Sequence, residues 1–277
     1  MSSKHPTPIF DSHCHLDYIE AGIMGHVPDT PLNEIITRAH EHGVGYFLNP
    51  AVNIADFDRV LGVAERFEHV YASMGVHPCE VTETERVEHW LSDIESRLSH
   101  PKVKAIGETG LDYFHESAHT EVADLQRHCF AQQLQMAQRH DLPVIVHDRE
   151  AHDDVYRLIS EHAGVKGVMH CFGGDLAFAR RMIELGFYIS FAGNVTFKKA
   201  LDLQETARHI PLEKMLIETD SPFLSPVPER GKPNEPYRTR FVADYIAKLR
   251  GISIESVIEA STQNALNLFQ IQPMLTK

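Results

Sequence analysis

The chain has 277 residues, 43% of them hydrophobic, and a formal net charge of −13; it is long enough to bury one large core, while its charge argues against a protein that coats nucleic acid over its whole surface. No run of about 18 apolar residues marks a membrane span, and the start "MSSKHPTPIF" lacks the apolar stretch of a secretory signal. Cys14, Cys79, Cys129 and Cys171 form no C-x-x-C pair, so the expectation is a cytoplasmic protein with reduced thiols, no membrane association and no obligate protein partner.

Along the chain, short β-rich runs alternate with longer amphipathic ones. "IFDSH" (9–13) is followed by the helical pattern "PLNEIITRAHEHG", "GYFLNPA" (45–51) by "ADFDRVLGVAERF", "VYASMGVH" (70–77) by "RVEHWLSDIESRL", and "VKAIGE" (103–108) by "ADLQRHCFAQQLQMAQRH". The later strands are "PVIVHD" (143–148), "GVMHCF" (167–172), "FYISFAG" (187–193) and "MLIETD" (215–220). Gly43 and the Asp141-Leu142-Pro143 break stop two of the helices. Eight such units read as α/β, a (β/α)8 TIM barrel in one domain, residues 1–277. An open doubly wound sheet is the rival, because periodicity does not report closure. The prolines of "SPFLSPVPERGKPNEP" (221–236) predict a stiff loop. Extra C-terminal helices, "YRTRFVADYIAKLRG" and "SIESVIEASTQNALNLF", read as scaffold packed outside the barrel.

The chemistry-bearing residues gather at the predicted strand ends: His13 and His15, His77, Glu108, His147, His170 and Asp220. If "IFDSH" continues as a strand, His13 and His15 point the same way and Cys14 the other. Each residue has a plain structural reading. His147 could be a buried imidazole bonded to a carbonyl, Glu108 a helix cap, Asp220 an Asx turn. Taken together they sit where barrel enzymes build their sites. Four imidazoles and two carboxylates exceed one tetrahedral ion and suit two divalent metal ions (Mg2+, Mn2+ or Zn2+) sharing a carboxylate. Glu108 is the expected bridge, with His13, His15 and Asp220 on one ion and His147 and His170 on the other. Asp220 is expected to act also as general base toward a metal-activated water, and Glu218 to support the centre without ligating. His77, held extended by Pro78, and Arg230 and Lys232 in the proline-rich loop are candidate substrate contacts.

The pieces "DSHCHLD", "GVHP", "AIGETGLDYF", "PVIVHDR", "HCFGG" and "IETDSPFLSPVPERGKPNEP" together resemble the TatD family of metal-dependent hydrolases and deoxyribonucleases, an amidohydrolase-like barrel family; the tail "STQNALNLF" is similar to its last helix. The resemblance implies a TIM barrel, a divalent-metal centre at His13, His15, Glu108, His147, His170 and Asp220, and hydrolysis of DNA phosphodiesters in the 3′ to 5′ direction, on single strands or strand ends. Two positions depart from the family pattern: Cys79 stands where a second histidine is common, and "HCFGG" lacks the usual Ser or Thr. A metal-dependent hydrolase of a small cyclic amide, a phosphoester or an aminoacyl-tRNA ester is the alternative, and the acidic charge leans that way. A catalytically silent metal-binding protein is a third reading, against which stands the retention of every ligand.

Overall fold

The computed structural model describes residues 7–25, 31–81, 84–114 and 118–274. Eight parallel strands lie in sequence order in one sheet: β1 (Ile9–Asp11), β2 (Val44–Pro50), β3 (Val70–Met74), β4 (Val103–Asp112), β5 (Val144–Arg149), β6 (Gly167–Met169), β7 (Tyr188–Phe191) and β8 (Met215–Ile217). Around them run α1 (Leu16–Glu20), α2 (Leu32–Glu41), α3 (Phe57–Arg66), α4 (Thr84–Arg97), α5 (Glu121–His140), α6 (His152–Glu161), α7 (Leu176–Glu184), α8 (Leu201–His209), α9 (Thr239–Arg250) and α10 (Ile254–Leu268). The eight-unit reading holds, and the sheet is a nearly closed barrel.

Local chemistry sets the boundaries. The Thr120 hydroxyl accepts the Ala123 N–H to start α5, and Asp141, at φ 50°, ends it before Pro143. Within the strands, alternation sorts side chains into two cores. Phe10, Tyr46, Leu48, Ala105, Ile145, Val168 and Leu216 fill the barrel, while their neighbours Ile9, Phe47, Ile106, Val146 and Ile217 meet the helices.

Helix α10 departs from the expectation of an outer scaffold. Its Ala265 and Leu266, with Phe269 just beyond it, join the inner core. Thr262 takes the Phe10 N–H and bonds the Pro8 carbonyl, while Asn264 donates to the carbonyls of Leu212 and Met215. It plugs the mouth where the strands begin, so the site has only the opposite mouth to occupy.

Several strands are shorter than the sequence suggested and one is longer. β1, β3, β6 and β8 stop before His13, His77, His170 and Asp220, which lie on the loops after them, whereas β4 runs four residues past Glu108. Strand alternation therefore does not orient His13 and His15, because no strand reaches them. The seam between β8 and β1 supplies another reason for their placement. Among the described residues it is closed by backbone bonds beyond the strands: Ser12 N–H to Ile217 O (3.2 Å), Asp220 N–H to His13 O (2.9 Å) and His15 N–H to Ser221 O (2.7 Å). The main chain of the candidate ligands is thus what closes the barrel.

Candidate metal centre

The six candidate ligands and His77 converge at the strand C-terminal mouth. His13 Nε2 stands 3.2 Å from His15 Nε2, 3.3 Å from Glu108 Oε2 and 3.7 Å from Asp220 Oδ1; His15 Nε2 lies 3.5 Å from that Asp220 oxygen and 4.0 Å from Glu108 Oε2. Donors about 2.1 Å from one tetrahedral ion stand about 3.4 Å apart, so these separations suit a shared cation. The other Glu108 oxygen, Oε1, faces His170 Nε2 at 2.9 Å, His147 Nδ1 at 3.1 Å and His77 Nε2 at 3.2 Å. Glu108 thus divides its two oxygens between two groups of imidazoles.

Glu108 lies in mid-strand, and simple alternation from the inward Ala105 would turn it outward. The β4–β5 register shifts between Ile106 and Thr109, and such an irregularity reverses the facing of the residues beyond it. Gly110, at φ 140°, lets the strand approach His147 where a Cβ would strike that residue's carbonyl.

Supporting groups fix which nitrogen of His170, His147 and His77 faces the centre. Glu218 is buried; its Oε1 accepts the Cys171 N–H (2.6 Å) and faces His170 Nδ1 (3.2 Å), and its Oε2 accepts from Ser190 (2.6 Å). His170 so presents Nε2 to the centre. Asp112, also buried, holds His147 Nε2 at 3.2 Å and leaves Nδ1 facing Glu108. His77 is different: its Nδ1 accepts the Cys79 N–H at 3.1 Å, which leaves the proton on Nε2, the atom turned to Glu108. It faces the centre as a hydrogen-bond donor, unlike His147 and His170, whose other nitrogen is the one turned to a supporting carboxylate.

Charge is arranged accordingly. Burial drives the Glu108 carboxyl up, yet His170, His77 and His13 overcome that and hold it well below the usual carboxylate range. Burial likewise opposes ionisation of Asp220, but His15, His13 and His170 hold it low. Burial lowers His13 and His77, and neighbouring imidazoles lower them further. Burial also works against the charged forms of His15, His147 and His170, but facing carboxylates outweigh it and leave all three raised.

The residues fit divalent metal. Nδ1 of His13 and of His15 is buried without a hydrogen-bond partner, and the rings of His13 and His170 stack 3.9 Å apart. Imidazoles crowded in this way around two ionised carboxylates carry a desolvation cost that a cation between their converging atoms offsets.

The centre floors a cleft of about 660 Å³, within the range of small-ligand sites. Its walls include Tyr18, Cys79, Arg149, Cys171, Asn194 and Phe223. Arg230 and Lys232 are not among its lining residues. The Arg230 guanidinium stacks on Phe197 at 4.0 Å, and Lys232 pairs with Glu229 at 2.7 Å. Asp112 and Arg149 escaped the sequence reading, yet strand parity signals both: Asp112 is four residues past Glu108 and Arg149 two past His147, each on its partner's face.

The sequence model of a family described as "TatD related DNase" matches residues 10–270. The chain belongs to the TatD family. It is 37% identical over 266 residues to the "uncharacterized metal-dependent hydrolase YabD" of Bacillus subtilis, covering 95% of this chain and 99% of that protein. It is 36% identical to the similarly described YcfH of Escherichia coli K12, covering 95% and 96% of the two chains. The crystal structure of YjjV, a TatD homologue from Escherichia coli K12, superposes with a TM-score of 0.84 at 30% identity, over 95% of this chain and 98% of that one.

Proposed function

We propose that this metal-dependent TatD-family hydrolase cleaves phosphodiester bonds of DNA, working from the 3′ end of single strands or frayed ends, with two divalent ions held at one rim. The observation that carries the reading is the division of Glu108, with Oε2 toward His13 and His15 and Oε1 toward His147 and His170. Two ions, when bound, supply Lewis acidity that activates water near neutral pH and offsets charge on a phosphoryl group. The chain's residues do the rest. Asp220, kept ionised, has an oxygen facing the His13 and His15 nitrogens and serves as proton acceptor for the attacking water. His77 Nε2–H, beside Glu108, is placed to donate to the departing oxygen. Glu218 and Asp112 hold two imidazoles in one orientation through turnover.

The cleft volume is that of a small-ligand site, which supports action on a strand end. Free Cys14 and Cys129, both buried, suit a reducing cytoplasm. A second reading, hydrolysis of another ester or amide, draws on the cleft's Glu80, Glu108, Asp112, Asp148 and Asp220 against, among the described residues, the one guanidinium of Arg149. The deciding experiment offers end-labelled single- and double-stranded DNA beside small phosphoesters and lactams, with added Mg2+, Mn2+ or Zn2+ and with chelator. Stepwise shortening of single strands from the 3′ end, lost on chelation, is expected. Turnover of a lactam or carboxylic ester with inert DNA would establish the other reading.

A further inference from the structure

Among the described residues, Arg149 is the one Lys or Arg side chain lining the cleft. It forms no ion pair with a described residue; its guanidinium lies on the Phe114 ring at 3.7 Å, and Phe114 is 54% exposed. Stacking fixes the plane of a guanidinium while leaving its N–H edge open to a planar or tetrahedral anion. The backbone is also fixed: the Arg149 carbonyl accepts the Tyr113 N–H at 2.9 Å, and Asp112 is its register partner on β4. Arg149 ends the strand that carries His147, on the same face and two residues on, which is about 6.6 Å farther along the strand. That span is comparable with the separation of neighbouring phosphates in an extended single strand.

We infer that Arg149, steadied by Phe114, binds the phosphate next to the one being cleaved. The surrounding carboxylates sharpen the role. They repel a second phosphate wherever the ions do not reach, so one cation at this distance selects a substrate with neighbouring phosphates over an isolated phosphoester. The inference rests on the phosphodiester reading for its natural substrate.

The test uses full-length protein loaded with metal and two probes, thymidine 5′-monophosphate and thymidine 3′,5′-bisphosphate, with affinities measured by calorimetry. Wild type is expected to bind the bisphosphate at least ~10-fold more tightly. Arg149→Ala should erase that preference while leaving the monophosphate within about twofold, Arg149→Lys should restore part of it, and Phe114→Leu should lose part of it. In turnover, Arg149→Ala should raise KM for TpTpT at least ~10-fold with kcat nearly unchanged, and leave the single-phosphate dinucleotide TpT unaffected. An equal loss on both probes, or on TpT and TpTpT alike, would overturn the assignment, as would a wild type that does not distinguish the two nucleotides. The two readings separate cleanly: a wild type that prefers the bisphosphate but leaves DNA intact keeps the phosphate site and refutes the nuclease, and the converse result refutes the site alone.

Discussion

The two flanks of the centre are held in different ways. On the seam flank, His13, His15 and Asp220 are set by main-chain bonds between the ends of β1 and β8, with side chains 0%, 4% and 14% exposed. Asp11 pins the same seam, its carboxylate taking the Thr219 N–H at 2.8 Å and hydroxyl at 2.6 Å. On the open flank, His147, His77 and His170 are 18%, 13% and 5% exposed, and side-chain carboxylates do the orienting, Asp112 for His147 and Glu218 for His170. A site tied by backbone keeps its geometry when one side chain is trimmed. A site tied by side-chain carboxylates depends on those carboxylates. The seam flank should therefore hold an ion more tightly than the open flank, which is the expectation the following measurements test.

The largest effect falls on the residue common to both. Glu108→Ala should lose both ions and turnover, by at least ~1,000-fold, read by metal analysis beside activity. If that variant keeps a full ion on either flank, Glu108 is no bridge. Asp220→Asn should cut turnover at least ~100-fold through loss of ligand charge and base, while the open flank still loads an ion. Asp112→Asn sharpens the contrast, because it should weaken one ion about 10- to 100-fold and leave the other unchanged in a competition titration; equal weakening of both would abolish the distinction between the flanks.

Metal removal acts through linkage. An ion at 100 times its Kd contributes about 2.7 kcal/mol to stability, so chelation should lower Tm by several degrees, with the seam ion the last to leave. Acid should do the same. His15, His147 and His170 are raised by their carboxylates, so protons compete for the ligand nitrogens already above the ordinary imidazole value of about 6.5. Ion affinity should therefore fall as pH drops from neutral, and an affinity flat between pH 7.5 and 5.5 would contradict the assignment. The smallest change is expected from Arg230→Ala with Lys232→Ala, since both lie off the cleft wall; KM for DNA should move less than about twofold.

The strand count and the clustering of the six candidate ligands near strand ends were legible in the sequence, because β and α periodicities differ and barrel chemistry collects after strands. Three things were not. Glu108 faces inward only because the β4–β5 register slips beside it, and no local pattern announces a slip that depends on the neighbouring strand. His13 and His15 meet through a seam with β8 some 200 residues away, not through strand alternation. Asp112 and Arg149 had the right parity, but their strands were read as ending too soon. The amino-acid sequence by itself determined which groups are available and roughly where along each unit they fall, since those depend on nearest neighbours. Which nitrogen of His77, His147 and His170 faces the centre, which arginine reaches the cleft, and which helix seals the far mouth were decided by tertiary structure, because each depends on a partner brought near only when the barrel closes.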